Sequence, residues 1–265
     1  MPALYAHYNF GIKVSNNIDW DLRDRLVKYV SQYETGLQGP DLFFFYKPYS
    51  SNKVGEYGHK VHSQVARDFF ENAVKVVREK GFDSHEYGYI NGVICHYILD
   101  SKCHPFINSW EAETGVSHME IEEEFEKYML RLNERDPFEF SGNVLISPEE
   151  TTAKAIEPFY DEINLNEVYK SIGWMKFIKT LFCAPGHTKY EWLHRIMRWL
   201  GKEEKWKYLI HQRVDNPVCE PFNKKLHELF VEAVPEAVEA VRSFENAVVN
   251  GTPLSERFDR TFEGL

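Results

Sequence analysis

Residues 89–105 read Tyr89-Ile90-Asn91-Gly92-Val93-Ile94-Cys95-His96-Tyr97-Ile98-Leu99-Asp100-Ser101-Lys102-Cys103-His104-Pro105. This stretch predicts a helix that runs through Tyr89 to Cys103, is capped by Asp83 or Ser84, and is broken by Pro105. Four residues advance an α-helix by 400°, so His96 and Asp100 lie ~40° apart on one face. His104 follows a further ~40° round if the helix reaches that far, and successive members are separated by a rise of ~6 Å. One metal ion can therefore bind His96 and Asp100, while His104 is better placed for a second. Imidazole nitrogen and carboxylate oxygen are ligand types that zinc accepts in catalytic sites.

Helical periodicity also dominates on either side of this segment. Trp20 to Tyr33 carries Leu22, Leu26, Val27 and Val30 at the spacing of one helix face. A loop follows from Glu34 to about Gly58, marked by Gly36, Gly39, Pro40 and Pro48. His62 to Lys80 predicts one long helix stopped by Gly81. Ser117 to Leu132 predicts another, with Ser117 and Glu120 forming a capping box. Ser147-Pro148 predicts an N-cap followed by an N1 proline, and further helices are expected to Tyr160, from Asn164 to Cys183, from Thr188 to Leu200, and from about Pro221 to Val249. Pro235 is expected to break or kink the last. No segment alternates with the period of a strand, and no internal repeat is visible. The expectation is an all-α chain: a single multi-helix, bundle-like domain over 1–265, with metal-ligand residues concentrated in 1–125, a helical C-terminal part in 148–265, and its weakest seam from about Asn133 to Ser147.

Composition narrows the function classes. The 265 residues carry 31 Lys+Arg against 41 Asp+Glu, a formal charge of −10, with 27% charged and 43% hydrophobic residues. That is ordinary globular composition and excludes a wholly disordered chain. The acid excess argues against a general nucleic-acid coat or a basic membrane-surface protein. It also looks wrong for an enzyme with an anionic substrate unless a metal reverses the sign locally. The four cysteines (Cys95, Cys103, Cys183, Cys219) contain no CxxC, which fits a reducing compartment. Met1 to Phe10 has no basic stretch followed by an apolar one, and the apolar run Ile172 to Phe182 is interrupted by Lys176 and Lys179. A cytoplasmic protein without a transmembrane segment is the expectation.

Further ligand-type residues surround the central pair. His118 and Glu122 stand at i and i+4, His59 and His62 at i and i+3, Asp41 follows Gly39-Pro40 in a loop, and His7 lies near the chain start. Any one such pair is commonly a surface ion pair or a hydrogen-bonded histidine. Two i,i+4 pairs, a His-x-x-His and a loop aspartate within about 80 residues form a less accidental conjunction. His85 reads as solvated, and His187, His194, His211 and His227 lack a convergent pattern.

His96-Tyr97-x-x-Asp100 with His104-Pro105, then His118-x-x-x-Glu122, with Gly39-Pro40-Asp41 and His7 upstream, resembles the bacterial zinc-dependent phospholipase C family. That family is all-α, holds three zinc ions, and shares its architecture with single-strand-specific nucleases. The resemblance covers roughly residues 1–125. It implies that Asp41, His62 or His59, His96 and Asp100 hold a first zinc, with His62 favoured. It implies His104, His118 and Glu122 for a second, and His7 with the bridging Asp100 for a third. Asp41 is implied as the base that activates water. Secreted members use an N-terminal Trp as a ligand where this chain has Met1-Pro2. They also place proline before the second-site histidine, ten residues after the first, whereas His104 precedes Pro105 and follows His96 by eight.

The resemblance implies metal-assisted hydrolysis of a phosphodiester or phospholipid with two or three zinc ions, because zinc brings the pKa of bound water towards ~7. Three carboxylates would face four positive charges from two zinc ions or six from three, so an acidic chain can present a positive pocket to a small phosphoester, though not to extended nucleic acid. Phe45, Tyr57 and Phe106 flank the ligands as candidate substrate contacts. Two other readings stand beside this one: a nuclease or nucleotide phosphoesterase on the same scaffold, and a catalytically silent zinc-binding helical protein.

Overall fold

The computed structural model describes residues 4–265. The chain forms helices α1 (Leu4–Ser15), α2 (Trp20–Lys28), α3 (Val30–Gly36), α4 (Lys53–Ser63), α5 (Arg67–Lys80), α6 (His85–Thr114), α7 (His118–Leu132), α8 (Glu150–Ile156), α9 (Leu165–Phe182), α10 (His187–Trp199), α11 (Glu203–Trp206) and α12 (Glu220–Asn250), with a 3-10 turn at Gly39–Phe45 between α3 and α4. Among the described residues there is no strand, only an isolated bridge between Val65 and Thr261. None of these helices is long and apolar enough to cross a membrane. Met1 and Pro2, where the resemblance puts an N-terminal ligand, lie outside the described residues.

The architecture is organised around α6. Every residue from Tyr87 to Ser101 is buried, and a helix apolar on all sides belongs at the centre of its fold. Ser84 caps it by accepting from the Tyr87 N–H, while Asp83 instead pairs with Lys28 and Tyr29. α6 does not stop at Pro105 but continues to Thr114. The ring removes one N–H donor, a cost of ~3 kcal/mol in a helix interior. Burial of Cys103, His104 and Ile107 and stacking of Phe106 on Phe222 of α12 hold the helix on both sides of it. α12 likewise continues through Pro235.

The predicted long helix from His62 is divided. α4 ends at Ser63 and α5 starts at Arg67, because the C-terminal segment pairs with the chain between them: Ala66 N–H donates to Arg260 O and Val65 bridges Thr261. Trp20 to Tyr33 is also two helices, parted at Tyr29, whose hydroxyl donates to Asp83. Tyr29 and Tyr33 are buried there, whereas Val27 and Val30 face solvent. Ser117 caps α7, but no reciprocal box forms, since the Glu120 carboxylate is taken by Tyr208 and Asn216. α8 begins at Glu150, two residues beyond Pro148.

One close crossing sets the position of the site. A Cβ on Gly36 would meet Tyr89 O at 2.1 Å, and one on Gly92 would meet Tyr33 O at 2.2 Å. α3 and α6 therefore approach backbone to backbone, as only glycine allows. The 3-10 turn that follows α3 is thereby laid across His96.

Candidate metal centre

Five segments bring their ligand-type side chains together. α6 supplies His96, Asp100 and His104. Because the helix is unbroken at Pro105, the three keep to one stripe, and His104 joins the second group despite its short spacing from His96. The 3-10 turn supplies Asp41, α4 supplies His62, α7 supplies His118 and Glu122, and α1 supplies His7.

Asp41, His62, His96 and Asp100 each place one ligand atom so that all four lie within 4.8 Å of one another, and all four are buried. His62 Nε2 is 2.8 Å from Asp41 Oδ1, and His96 Nε2 is 3.1 Å from Asp100 Oδ2. His104, His118 and Glu122 form a second such group, with His118 Nε2 3.1 Å and His104 Nε2 3.6 Å from Glu122 Oε1. His7 Nε2 lies 3.1 Å from Asp100 Oδ1, and its ring stacks on His96 with centroids 4.5 Å apart. Asp100 thus faces His96 with one oxygen and His7 with the other. His7, Asp100, His104 and Glu122 border a common cavity.

His59 is not among these donors. It is exposed and stacked on Phe44, 4.3 Å between centroids, while His62, a helical turn later, points inward.

The histidine tautomers suit metal binding. His62 Nδ1 lies 2.9 Å from Gly58 O, His96 Nδ1 3.2 Å from Leu37 O, and His104 Nδ1 3.3 Å from Phe262 O. A backbone carbonyl fixes the proton on Nδ1 and turns the Nε2 lone pair toward the cluster. Those Nε2 atoms, together with Asp41 Oδ1, Asp100 Oδ2 and Glu122 Oε2, are buried and make no hydrogen bond. Buried polar atoms are normally paired, so a convergent set of orphaned imidazole nitrogens and carboxylate oxygens fits a cation. The donor chemistry fits zinc.

The electrostatics agree. Burial alone would raise Asp100, but His96, His104 and His7 hold it well below the ordinary carboxylate range. Asp41 is lowered against its burial by His96 and His62, and Glu122 by His118 and His104. Burial would lower His104, yet Asp100 and Glu122 push it up to about 10. Three buried carboxylates thus demand positive charge, and they act against burial to raise His7, His62, His104 and His118.

The candidate substrate contacts are placed differently. Phe45 is buried, with Lys179 Nζ 5.7 Å from its ring centroid. Tyr57 is buried and donates to Asp161 at 3.0 Å. Phe106 is half-buried and committed to its stack on Phe222.

Three contributions escaped sequence reasoning. Glu126, one helical turn beyond Glu122, accepts from Tyr5 N–H at 2.6 Å and Ala6 N–H at 3.0 Å. A carboxylate at the start of α1 satisfies two donors and the helix dipole, and it anchors the turn that carries His7. Lys179 and Glu126 line a cleft with Phe138, Phe140, Tyr208 and His211. Burial lowers the Lys179 ammonium, and Glu126, Asp41 and Glu122 act to raise it. Glu263, near the chain end, lies 3.4 Å from His104 Nδ1. An i,i+4 signal exists for Glu122 and Glu126, whereas no spacing rule connects Lys179 or Glu263 to the ligands.

An all-α fold with two imidazole–carboxylate clusters gathered around one central helix defines the class of a helical protein with two candidate metal sites. The family model described as zinc dependent phospholipase C matches residues 7–184, and the chain belongs to that family. No curated protein and no solved structure matches the chain.

Proposed function

We propose that the protein hydrolyses phosphate esters, taking a small phosphodiester or a phospholipid as substrate. The observation that carries this reading is the convergence of orphaned, buried ligand atoms from four segments in a chain of the zinc-dependent phospholipase C family. Asp41, His62, His96 and Asp100 would hold one zinc ion, His104, His118 and Glu122 a second, and His7 with Asp100 a third. Bound zinc supplies a water of lowered pKa and positive charge for phosphoryl oxygens.

The protein's own groups do the rest. Asp41, kept ionised by His96 and His62, is in a state to accept a proton from the attacking water. The group of His104, His118 and Glu122 counts three protein donors, the number typical of an open catalytic site rather than a closed structural one. Lys179 places a further cation on the wall of the cleft. A cytoplasmic setting belongs to the same proposal, supported by four cysteines that are all free.

The test is zinc analysis of the purified protein combined with hydrolysis of bis-p-nitrophenyl phosphate, phosphatidylcholine and single-stranded DNA. Bound zinc, turnover of one of the first two, and loss of turnover in His96→Ala and Asp100→Ala are expected. Turnover of DNA alone would move the protein to the nuclease reading. Zinc without turnover, lost only on unfolding, would make it a silent zinc protein.

A further inference from the structure

The chain leaves the cleft wall at Ala184 and returns to it at Tyr208. The excursion between, Pro185–Lys207, carries α10 and α11 and lies just past the family-matched residues. Its base is fastened to the rim: Arg213 donates to Ala184 O and Pro185 O, and Lys189 donates to Cys183 O. α10 packs inward through Leu193, His194 and Met197. Its opposite face shows Trp192 (55% exposed) and Trp199 (83% exposed), with Arg195 between them at i+3 and Arg198 alongside. Glu191 on that face lies 3.9 Å from His187, and Glu203 lies 3.9 Å from Arg198, which leaves Arg195 as the arginine without a carboxylate beside it in this group. Lys202 and Lys205 flank the acidic first turn of α11, Glu203-Glu204, where Glu204 pairs with Lys207 at 2.7 Å. In a chain of charge −10, the segment from His187 to Lys207 holds six Lys/Arg against three Glu.

We propose that the outer face of α10 docks the protein on an anionic phospholipid bilayer. Two exposed tryptophans on one helical stripe match the position that indole prefers, at the boundary between acyl chains and headgroups. Arginine beside them offers forked donors to lipid phosphates, and a basic face complements an anionic leaflet. The acid excess elsewhere does not oppose this contact, because charges farther off than about 8 Å are largely screened at physiological salt. An amphipathic helix of this kind lies in the interface plane, so docking would hold the cleft, beside which the base of the excursion is fastened, near the lipid surface. The docking surface stands on its own; only its consequence, delivery of a lipid phosphoester to the cleft, rests on the hydrolase reading.

The experiment is sedimentation of the full chain with vesicles of phosphatidylcholine alone or mixed with phosphatidylglycerol, in EDTA so that zinc plays no part. Wild type is expected to sediment with the mixed vesicles, less with the neutral ones, and less as salt rises. Trp192→Ala/Trp199→Ala and Arg195→Glu are each expected to bind at least about tenfold more weakly, with an unchanged helical circular-dichroism spectrum. Absence of binding to the mixed vesicles, equal binding by the variants, or binding to single-stranded DNA in place of vesicles would overturn the proposal. Hydrolysis of soluble bis-p-nitrophenyl phosphate, measured in zinc, should be the same in the tryptophan variant and wild type. If wild type lacks that activity while vesicle binding holds, it is the hydrolase reading that fails.

Discussion

A Cβ on Gly39 would stand 2.3 Å from Cδ2 of His96. The turn carrying Asp41 thus crosses directly over the imidazole, and Gly39 does so at φ +50, in the left-handed region. Gly39→Ala should therefore displace either the turn or the ring, and either shift parts Asp41 from its cluster. We expect a destabilisation of about 1–3 kcal/mol in urea unfolding, together with weakened zinc binding. A variant as stable and as zinc-avid as wild type would show that the crossing does not hold the site.

Asp100 faces His96 and His7 with different oxygens, and His104 lies 3.9 Å away. Asp100→Asn keeps the shape, removes the charge, and leaves three imidazoles, from α1 and α6, without their shared anion. Zinc stoichiometry should fall, and hydrolysis should drop by about 10²–10³, the equivalent of a few kcal/mol of transition-state stabilisation. Elemental analysis beside steady-state rates checks both.

The helical class and the ligand types were legible because both are local signals. His96, Asp100 and His104 fall on one stripe at a fixed spacing, as do His118 and Glu122. What was not legible depends on contacts distant in sequence. Pro105 looked like a stop because its cost is local, while the stack of Phe106 on Phe222 that offsets it joins residues more than a hundred positions apart. The division of α4 from α5 is imposed by Arg260 and Thr261, and Lys179 looked like an interruption of an apolar run rather than a wall of the cleft. His59 and His62 share a spacing that cannot say which turn of the helix faces inward.

The C-terminal segment provides a test of long-range support. Phe262 O lies 3.3 Å and Glu263 Oε2 3.4 Å from His104 Nδ1, and Tyr97 donates to Arg257 O and Arg260 O. A carboxylate behind a ligand histidine fixes its ring and raises its basicity. Glu263→Gln should weaken zinc binding by about tenfold, measured by chelator competition, with little change in folding stability. Because Glu263 is half-buried, an effect far below tenfold would assign orientation of His104 to the Phe262 carbonyl alone.

The zinc-free protein should have a distinctive pH profile. His104 is raised from 6.5 to about 10 by Asp100 and Glu122 acting against its burial. A group raised on folding contributes its stability in full below the unfolded value and loses it as pH climbs through the folded one. The melting temperature of EDTA-treated protein should therefore fall between about pH 6.5 and 10, less steeply in His104→Asn. Asp100 and Glu122, lowered on folding, contribute above the ordinary carboxylate range and lose that contribution in acid. Zinc takes the place of the imidazole protons, so its affinity should rise with pH over the same window.

The most direct test of the two-cluster account is anomalous diffraction at the zinc edge from crystals of the zinc-loaded protein. One peak is expected among Asp41, His62, His96 and Asp100 and another among His104, His118 and Glu122, with His59 free. Zinc at other residues, or no peak at either cluster in zinc-loaded crystals, would contradict it.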